Sequence, residues 1–214
     1  MKRAPSATVR REIIRACKRL DAKGLLVGAE GNVSARLAAN RIAVTPAGRC
    51  KADLSVRELV ETTLDGRPVS GLTSPSSELP MHLAVYRARP DVGAVVHAHP
   101  VAATGFAVAQ NPLPQAALAE AAGVLGPVPL VPFRAPGSAG LGLVVAKALK
   151  GANVALLANH GAVAVGPTID VALQRMESLE QAARIVVAAR ILGGERNLKT
   201  ADLRALQRAW LAGA

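Results

Sequence analysis

Aromatic residues are scarce in this 214-residue chain: Phe106, Phe133, Tyr86 and Trp210 are all it has. Half of the residues are nonetheless hydrophobic, so a core of sizeable volume has to be built from Ala, Val and Leu. Cysteine is scarce as well. Cys17 and Cys50 lack C-x-x-C spacing and form no disulfide framework, which excludes a small cross-linked scaffold and points to reduced thiols. No apolar run is long enough to span a bilayer. The basic N-terminus leads into no signal-like apolar stretch, because Ile13-Ile14 is soon broken by Arg15, Lys18 and Arg19. These absences describe a soluble, cytoplasmic protein with no membrane partner.

Acidic residues are also in deficit, 15 Asp and Glu against 26 Lys and Arg, for a formal net charge of +11. Such an excess permits nucleic-acid binding. The basic residues are scattered, however, and the densest cluster, residues 2–23, has helical spacing with no interleaved aromatics for base stacking. A solvated helix face accounts for that cluster, no nucleic-acid partner is expected, and an anionic small substrate is compatible with the charge.

The chain has four histidines, and three of them suggest one metal site. His97 and His99 stand in V-V-H-A-H-P after an apolar run. His160 stands in L-L-A-N-H-G after another. On a strand, residues i and i+2 share a face, so the first two side chains converge. Three imidazoles with an open position form the ligand set of a catalytic zinc. The fourth, His82, follows Glu78 by four residues, one helical turn. An H-x-H pair alone is a weak signal, and a lone buried histidine is more often a core residue. The concentration of nearly all the histidine in these segments, with a carboxylate nearby to act as ligand or base, shifts the balance toward a site.

Apolar periodicity predicts an amphipathic helix over 6–23, closed by Gly24. A short strand follows at 41–45, a short helix opens at 54–58, and a hairpin turns at Asp65-Gly66. Ser74-Pro75-Ser76-Ser77-Glu78 has helix-start chemistry, with Pro80 in the first turn of a helix that ends near Arg89-Pro90. Then come a strand over 92–98, a helix over 100–109, and an irregular Pro-rich stretch over 111–136 containing a strand at 126–132. A helix over 138–150, a hairpin over 153–165 around His160-Gly161, a long helix over 168–192, and a last helix over 201–211 with Thr200 as its N-cap complete the pattern. With no repeats or linkers, residues 1–214 form one α/β (αβα) domain, a central and mainly antiparallel sheet with helices on both faces. Gly31-Asn32, Gly48 and Ser76-Ser77 are candidate anion-binding turns, although ordinary turn and cap chemistry explains most such sites. No nucleotide fingerprint is present.

Five runs, in order, resemble the class II aldolase/adducin family: G-N-V-S-A-R (31–36), V-T-P-A-G (44–48), P-S-S-E-x-x-x-H (75–82), Y-R-A-R-P-D-V-G-A-V-V-H-A-H (86–99) and N-H-G (159–161) before the helix with Glu177 and Glu180. The resemblance covers roughly residues 9–192. It implies zinc on His97, His99 and His160, with manganese, iron or cobalt as other occupants of such donors. It implies Glu78 as acid/base, able to bind the metal when substrate is absent, and His82 as a supporting group behind it. Gly31, Asn32, Gly48, Ser76 and Ser77 would hold a substrate phosphate. It further implies a homotetramer with intersubunit active sites. The implied reaction is cleavage of a ketose 1-phosphate, of the fuculose, 5-deoxyribulose or methylthioribulose type, to dihydroxyacetone phosphate and an aldehyde. Dehydration, decarboxylation or 4-epimerisation at the same site, or a non-catalytic adducin-like module, are the alternatives. The intact histidines favour an enzyme. The tyrosine that the aldolases of this family carry before an A-A-A-G run is absent here, with Ala117 near its place, and the epimerases carry aspartate where this chain has Glu78.

Overall fold

The computed structural model describes residues 6–212; the side chains of residues 120, 207 and 209–212, Glu120 and Trp210 among them, lie outside the described set. In chain order the elements are α1 (Ser6–Ala22), β1 (Asn32–Ala38), β2 (Arg41–Val44), β3 (Val60–Thr63), β4 (Pro68–Ser70), α2 (Leu79–Ala88), β5 (Ala94–Ala98), α3 (Val101–Val108), α4 (Ala119–Val124), β6 (Leu130–Val131), α5 (Ala139–Ala148), β7 (Val154–Leu157), β8 (Gly161–Gly166), α6 (Ile169–Ile191) and α7 (Thr200–Ala212). The strands form one eight-stranded sheet in the order β4-β3-β2-β1-β5-β8-β7-β6. Only β6 and β7 run parallel; the other pairs are antiparallel.

The alternation of strand side chains sorts the core into two layers. Val33 and Ala35 of β1 and Ala94, Val96 and Ala98 of β5 pack with α1, α3, α4 and α6. Val95, Val163 and Val165 pack with α2 and α5 on the opposite face. By the same parity Asn32, Ser34 and His97 turn toward the α2 side. Small side chains suit this arrangement: α5 packs on α2 with Gly142 against Pro80 and Ala84, where an added Cβ would stand 3.0–3.1 Å from their atoms. The long helix α6 is tied down by charge. Glu177 accepts from Arg19 at 2.6 and 2.7 Å and from Lys23 at 3.1 Å, and buried Glu180 accepts from the Ala102 and Ala103 amides at the start of α3.

The αβα architecture and the mainly antiparallel sheet agree with the sequence pattern. Three local expectations need correction. The stretch 111–136 is not irregular apart from a strand: it holds α4, and its strand is only the two residues of β6. A six-residue helix over A-E-A-A-G-V offers too little periodicity to register, and its partner α7 comes from far along the chain. Thr200 is the first residue of α7 rather than its cap, and residues 54–58 contain only a single 3-10 turn at Val56–Glu58. No helix among the described residues is long and apolar enough to cross a membrane.

Candidate active site

His97 lies on β5, His99 just beyond its end, and His160 in the β7–β8 turn. Strands β5 and β8 pair, with His97 opposite Val163 and Ala98 opposite Ala162, so the turn that carries His160 comes to rest beside the other two. One ligating nitrogen from each imidazole lies within 4.8 Å of the others. The ring centroids are 4.7–5.2 Å apart. Two local conformations make the approach possible. Asn159 adopts a left-handed φ of 55°, which asparagine tolerates, and this turns the chain before His160. At Gly161 a Cβ would stand 2.5 Å from His99 Cδ2 and 2.6 Å from the Ala98 carbonyl oxygen, so only glycine lets the two segments meet.

Hydrogen bonds set the ring orientations. His97 Nδ1 donates to the Ala162 carbonyl at 2.9 Å, and His99 Nδ1 donates to Glu30 Oε2 at 2.9 Å. Both rings thus present Nε2 inward, and the two Nε2 atoms are 3.2 Å apart. That separation matches the roughly 3.4 Å expected of two nitrogens held about 2.0–2.1 Å from one tetrahedral ion. Burial, and next the charge of His97, push His160 down to about 4; the same two causes, in the same order, lower His99. His99 and His160, kept free of protons in this way, are available as ligands. The donor set therefore fits a metal ion.

Glu78 stands at the N-terminal end of α2, 6% exposed. Its Oε2 is 2.8 Å from His97 Nε2 and accepts from Asn32 Nδ2 at 2.9 Å. Its Oε1 lies 3.4 Å from His160 Nε2 and has no hydrogen-bond partner among the described residues, nor has buried His160 Nδ1. Burial by itself would raise this carboxyl, but the hydrogen bonds from His97 and Asn32 and the charge of His97 outweigh it and hold Glu78 well below the usual carboxylate range. His82 is fully buried on α2, bonded to Asn32 and Ser34.

The five candidate anion-binding residues are drawn toward the same end of the sheet. The Ser76 amide donates to the Thr45 carbonyl and the Ala47 amide to that of Ser74. Lys51, 2% exposed, donates from Nζ to the carbonyls of Ala29 and Arg49 at 2.8 and 2.7 Å, clipping the loop before Gly31 to the loop after Gly48. Gly31 adopts φ +63°, and a Cβ there would strike Leu26 and the His97 carbonyl at 2.3 and 2.6 Å. Ser77 is exposed, whereas the Ser76 hydroxyl accepts from the Glu78 amide. Asn32 differs from the expectation in one respect: both ends of its amide are engaged by Glu78 and His82. Glu30 and Lys51 were not among the sequence candidates. Glu30 stands one residue outside the G-N-V-S run and Lys51 three beyond Gly48, and neither spacing announces a contact made through the fold.

The chain is matched over residues 11–187 by the family model for the class II aldolase and adducin N-terminal domain. The chain belongs to this family. Among its relatives, the 3-oxo-tetronate 4-phosphate decarboxylase of Pectobacterium atrosepticum is 33% identical over 186 residues, 84% of this chain and 83% of that protein. The 5-methylthioribulose-1-phosphate/5-deoxyribulose-1-phosphate aldolase of Escherichia coli is 33% identical over 159 residues, 74% of each chain. A solved L-fuculose 1-phosphate aldolase superposes with a TM-score of 0.89 at 30% identity, covering 95% of this chain and 96% of its own. These members are enzymes whose names specify phosphorylated sugars or sugar acids, and they differ in reaction.

Proposed function

We propose that the chain is a metal-dependent lyase that breaks a carbon–carbon bond beside the carbonyl of a ketose 1-phosphate, giving dihydroxyacetone phosphate and an aldehyde, with Glu78 as acid/base. One observation carries this: the Glu78 carboxylate lies against the converging imidazoles of His97 and His160, with Oε1 buried and without a hydrogen-bond partner among the described residues. His97, His99 and His160 would hold the ion. Three imidazoles suit zinc, and manganese, iron or cobalt can use the same donors. A bound divalent cation supplies Lewis-acid stabilisation of charge developing on adjacent carbonyl and hydroxyl oxygens. Glu78 also touches the inward nitrogens, so it would complete the donor set when substrate is absent.

Because Glu78 starts ionised, its unpaired Oε1 can take the proton of the hydroxyl on the departing carbon. The C–C electron pair stays with the carbonyl fragment as an enediolate, the aldehyde leaves, and Glu78 returns the proton to carbon. One residue thus closes the proton count. Gly31, Asn32, Gly48, Ser76 and Ser77 would hold the phosphate through N–H and hydroxyl groups around the start of α2, and His82 supports Glu78 from behind. Fixing the phosphate fixes the distance between Oε1 and the reacting carbon.

Decarboxylation is a second reading with its own support. Loss of CO2 from a 3-oxo-4-phosphate acid with a 2-hydroxyl leaves the same enediolate, with one proton taken up. No departing aldehyde's hydroxyl has to lose a proton, so no second proton-transfer group is needed there, which suits a chain with Ala117 near the place where the aldolases have tyrosine. The relative named for that reaction covers 84% of this chain. We further propose a homotetramer with intersubunit sites, as the family resemblance implies; light scattering tests it.

The experiment is to incubate metal-analysed protein with fuculose, 5-deoxyribulose and methylthioribulose 1-phosphates and with 3-oxo-tetronate 4-phosphate. Chelator-sensitive release of dihydroxyacetone phosphate with an aldehyde supports the aldolase. Release with CO2 supports the second reading. A metal-loaded protein that releases neither fails as a carbon–carbon lyase and leaves dehydration or epimerisation; a chain that neither binds metal nor turns over is an adducin-like module.

A further inference from the structure

Buried polar residues cluster behind Glu78. Asn32, Ser34, His82 and Tyr86 are 3, 0, 0 and 1% exposed. Their placement follows from two periodicities. Asn32 and Ser34 share the α2-facing side of β1, and Glu78, His82 and Tyr86 succeed one another at four-residue steps along α2. The contacts run in one line. Asn32 Nδ2 meets Glu78 Oε2 at 2.9 Å; Asn32 Oδ1 meets His82 Nε2 at 2.5 Å; His82 Nδ1 meets Ser34 Oγ at 2.6 Å; and Ser34 Oγ meets the Tyr86 hydroxyl at 2.9 Å.

The chemistry of the groups gives this line a single direction. An ionised carboxylate only accepts, so Asn32 donates to it with its NH2 and offers its carbonyl oxygen to His82. That oxygen only accepts, so His82 donates from Nε2. Burial pushes His82 down to about 3, so the ring is neutral and its Nδ1 accepts from the Ser34 hydroxyl. Ser34 then accepts from Tyr86. Arg36 holds the Tyr86 residue at the far end: its guanidinium lies 4.7 Å over the ring and donates to the Tyr86 backbone carbonyl.

We infer that Asn32, His82, Ser34 and Tyr86 form a one-way hydrogen-bond chain that locks the Glu78 carboxylate, occupying Oε2 and leaving Oε1, which has no hydrogen-bond partner among the described residues, as the oxygen free to carry the proton. His82 and Tyr86 are positioning residues in this arrangement; they act through Asn32 and Ser34 and touch no substrate. The inference rests on the acid/base role proposed for Glu78. A merely satisfied core histidine would need partners but no fixed polarity and no terminus on the carboxylate that touches His97 and His160. Removing an outer partner of a site residue commonly lowers activity by about 10–100-fold.

Two measurements test it. In 15N-labelled wild-type protein, the His82 imidazole is expected as a single neutral Nε2–H tautomer from pH 5 to 8. An Nδ1–H tautomer, or titration in that range, overturns the chain. This result does not depend on turnover, so a wild-type protein without lyase activity would sink the role of Glu78 while leaving the chain separately decided. In kinetics, His82→Leu is expected to lower kcat at least about 10-fold with KM and metal content unchanged. His82→Gln, whose NH2 can still donate to Asn32, should recover part of the loss, and Tyr86→Phe should fall less than His82→Leu. Full kcat in His82→Leu overturns the positioning role, as does a loss in which kcat, KM and metal content all move together.

Discussion

Glu30 Oε2 accepts a 2.9 Å hydrogen bond from His99 Nδ1, so a carboxylate stands directly behind one of the three converging imidazoles. Such partners fix the tautomer of a ligating histidine and raise its basicity. The His97 ring takes the same support from a backbone carbonyl, which no side-chain substitution removes. Glu30→Ala should therefore weaken metal retention about 10-fold, the low end for outer partners, because the Glu30 side chain is 55% exposed and water can replace part of what it gives. Competition against a chelator of known affinity measures this, and unchanged affinity would remove Glu30 from the metal's support.

His97→Ala and His160→Ala should each abolish stoichiometric metal and turnover, since two imidazoles seldom retain what three hold. Glu78→Gln should retain metal and lose most turnover, because the amide keeps the shape but cannot carry the proton. Metal analysis beside kcat separates the two roles, and a fully active Glu78→Gln would end the acid/base assignment.

Acid should destabilise the fold through His82. Its folded pKa lies near 3 and its unfolded value near 6.5. Below pH 6.5 the unfolded chain therefore binds a proton that the folded chain does not, and stability falls as pH falls. Between pH 7 and 5 the loss from this one residue is about 2 kcal/mol. Urea unfolding of wild type and His82→Gln at both pH values checks this: the wild type should lose about that much more than the variant.

Gly161→Ala places a methyl group where the His99 ring and the Ala98 carbonyl already stand. The turn or the ring has to move, at a cost of about 1–3 kcal/mol, and metal affinity should drop with it. A Gly161→Ala protein with wild-type Tm and metal affinity would show that the close approach is dispensable.

Lys51→Met keeps the length of the buried side chain but leaves the Ala29 and Arg49 carbonyls without their ammonium. Two loops bearing Gly31 and Gly48 come unclipped, and the carbonyls of Ala29 and Arg49, both exposed residues, are left to water. The expected kinetic result is a raised KM for the phosphorylated substrate, with the metal retained.

How much of this was legible before folding differs from residue to residue. The histidines, Glu78 and the glycines stand in short runs whose order carries the family resemblance, and the helix and strand periods follow from which faces meet the core. The chain by itself therefore determined the layered αβα class, most of its elements and the set of side chains that can do chemistry. It did not determine which of them touch. Glu30 and His99 are 69 residues apart, Asn32 and Glu78 46, Ser34 and Tyr86 52; the pairing of β1 with β5 brings the first pair together, and the packing of α2 on β1 the other two. Helix α4 escaped the pattern because six residues are fewer than two turns. Tertiary structure alone decided that the Asn32 side chain serves Glu78, that Lys51 clips two loops, and that a glutamate supports His99. Hydrogen bonds reach only about 3 Å, and which groups come within that distance is fixed by packing across the sheet rather than by spacing along the chain.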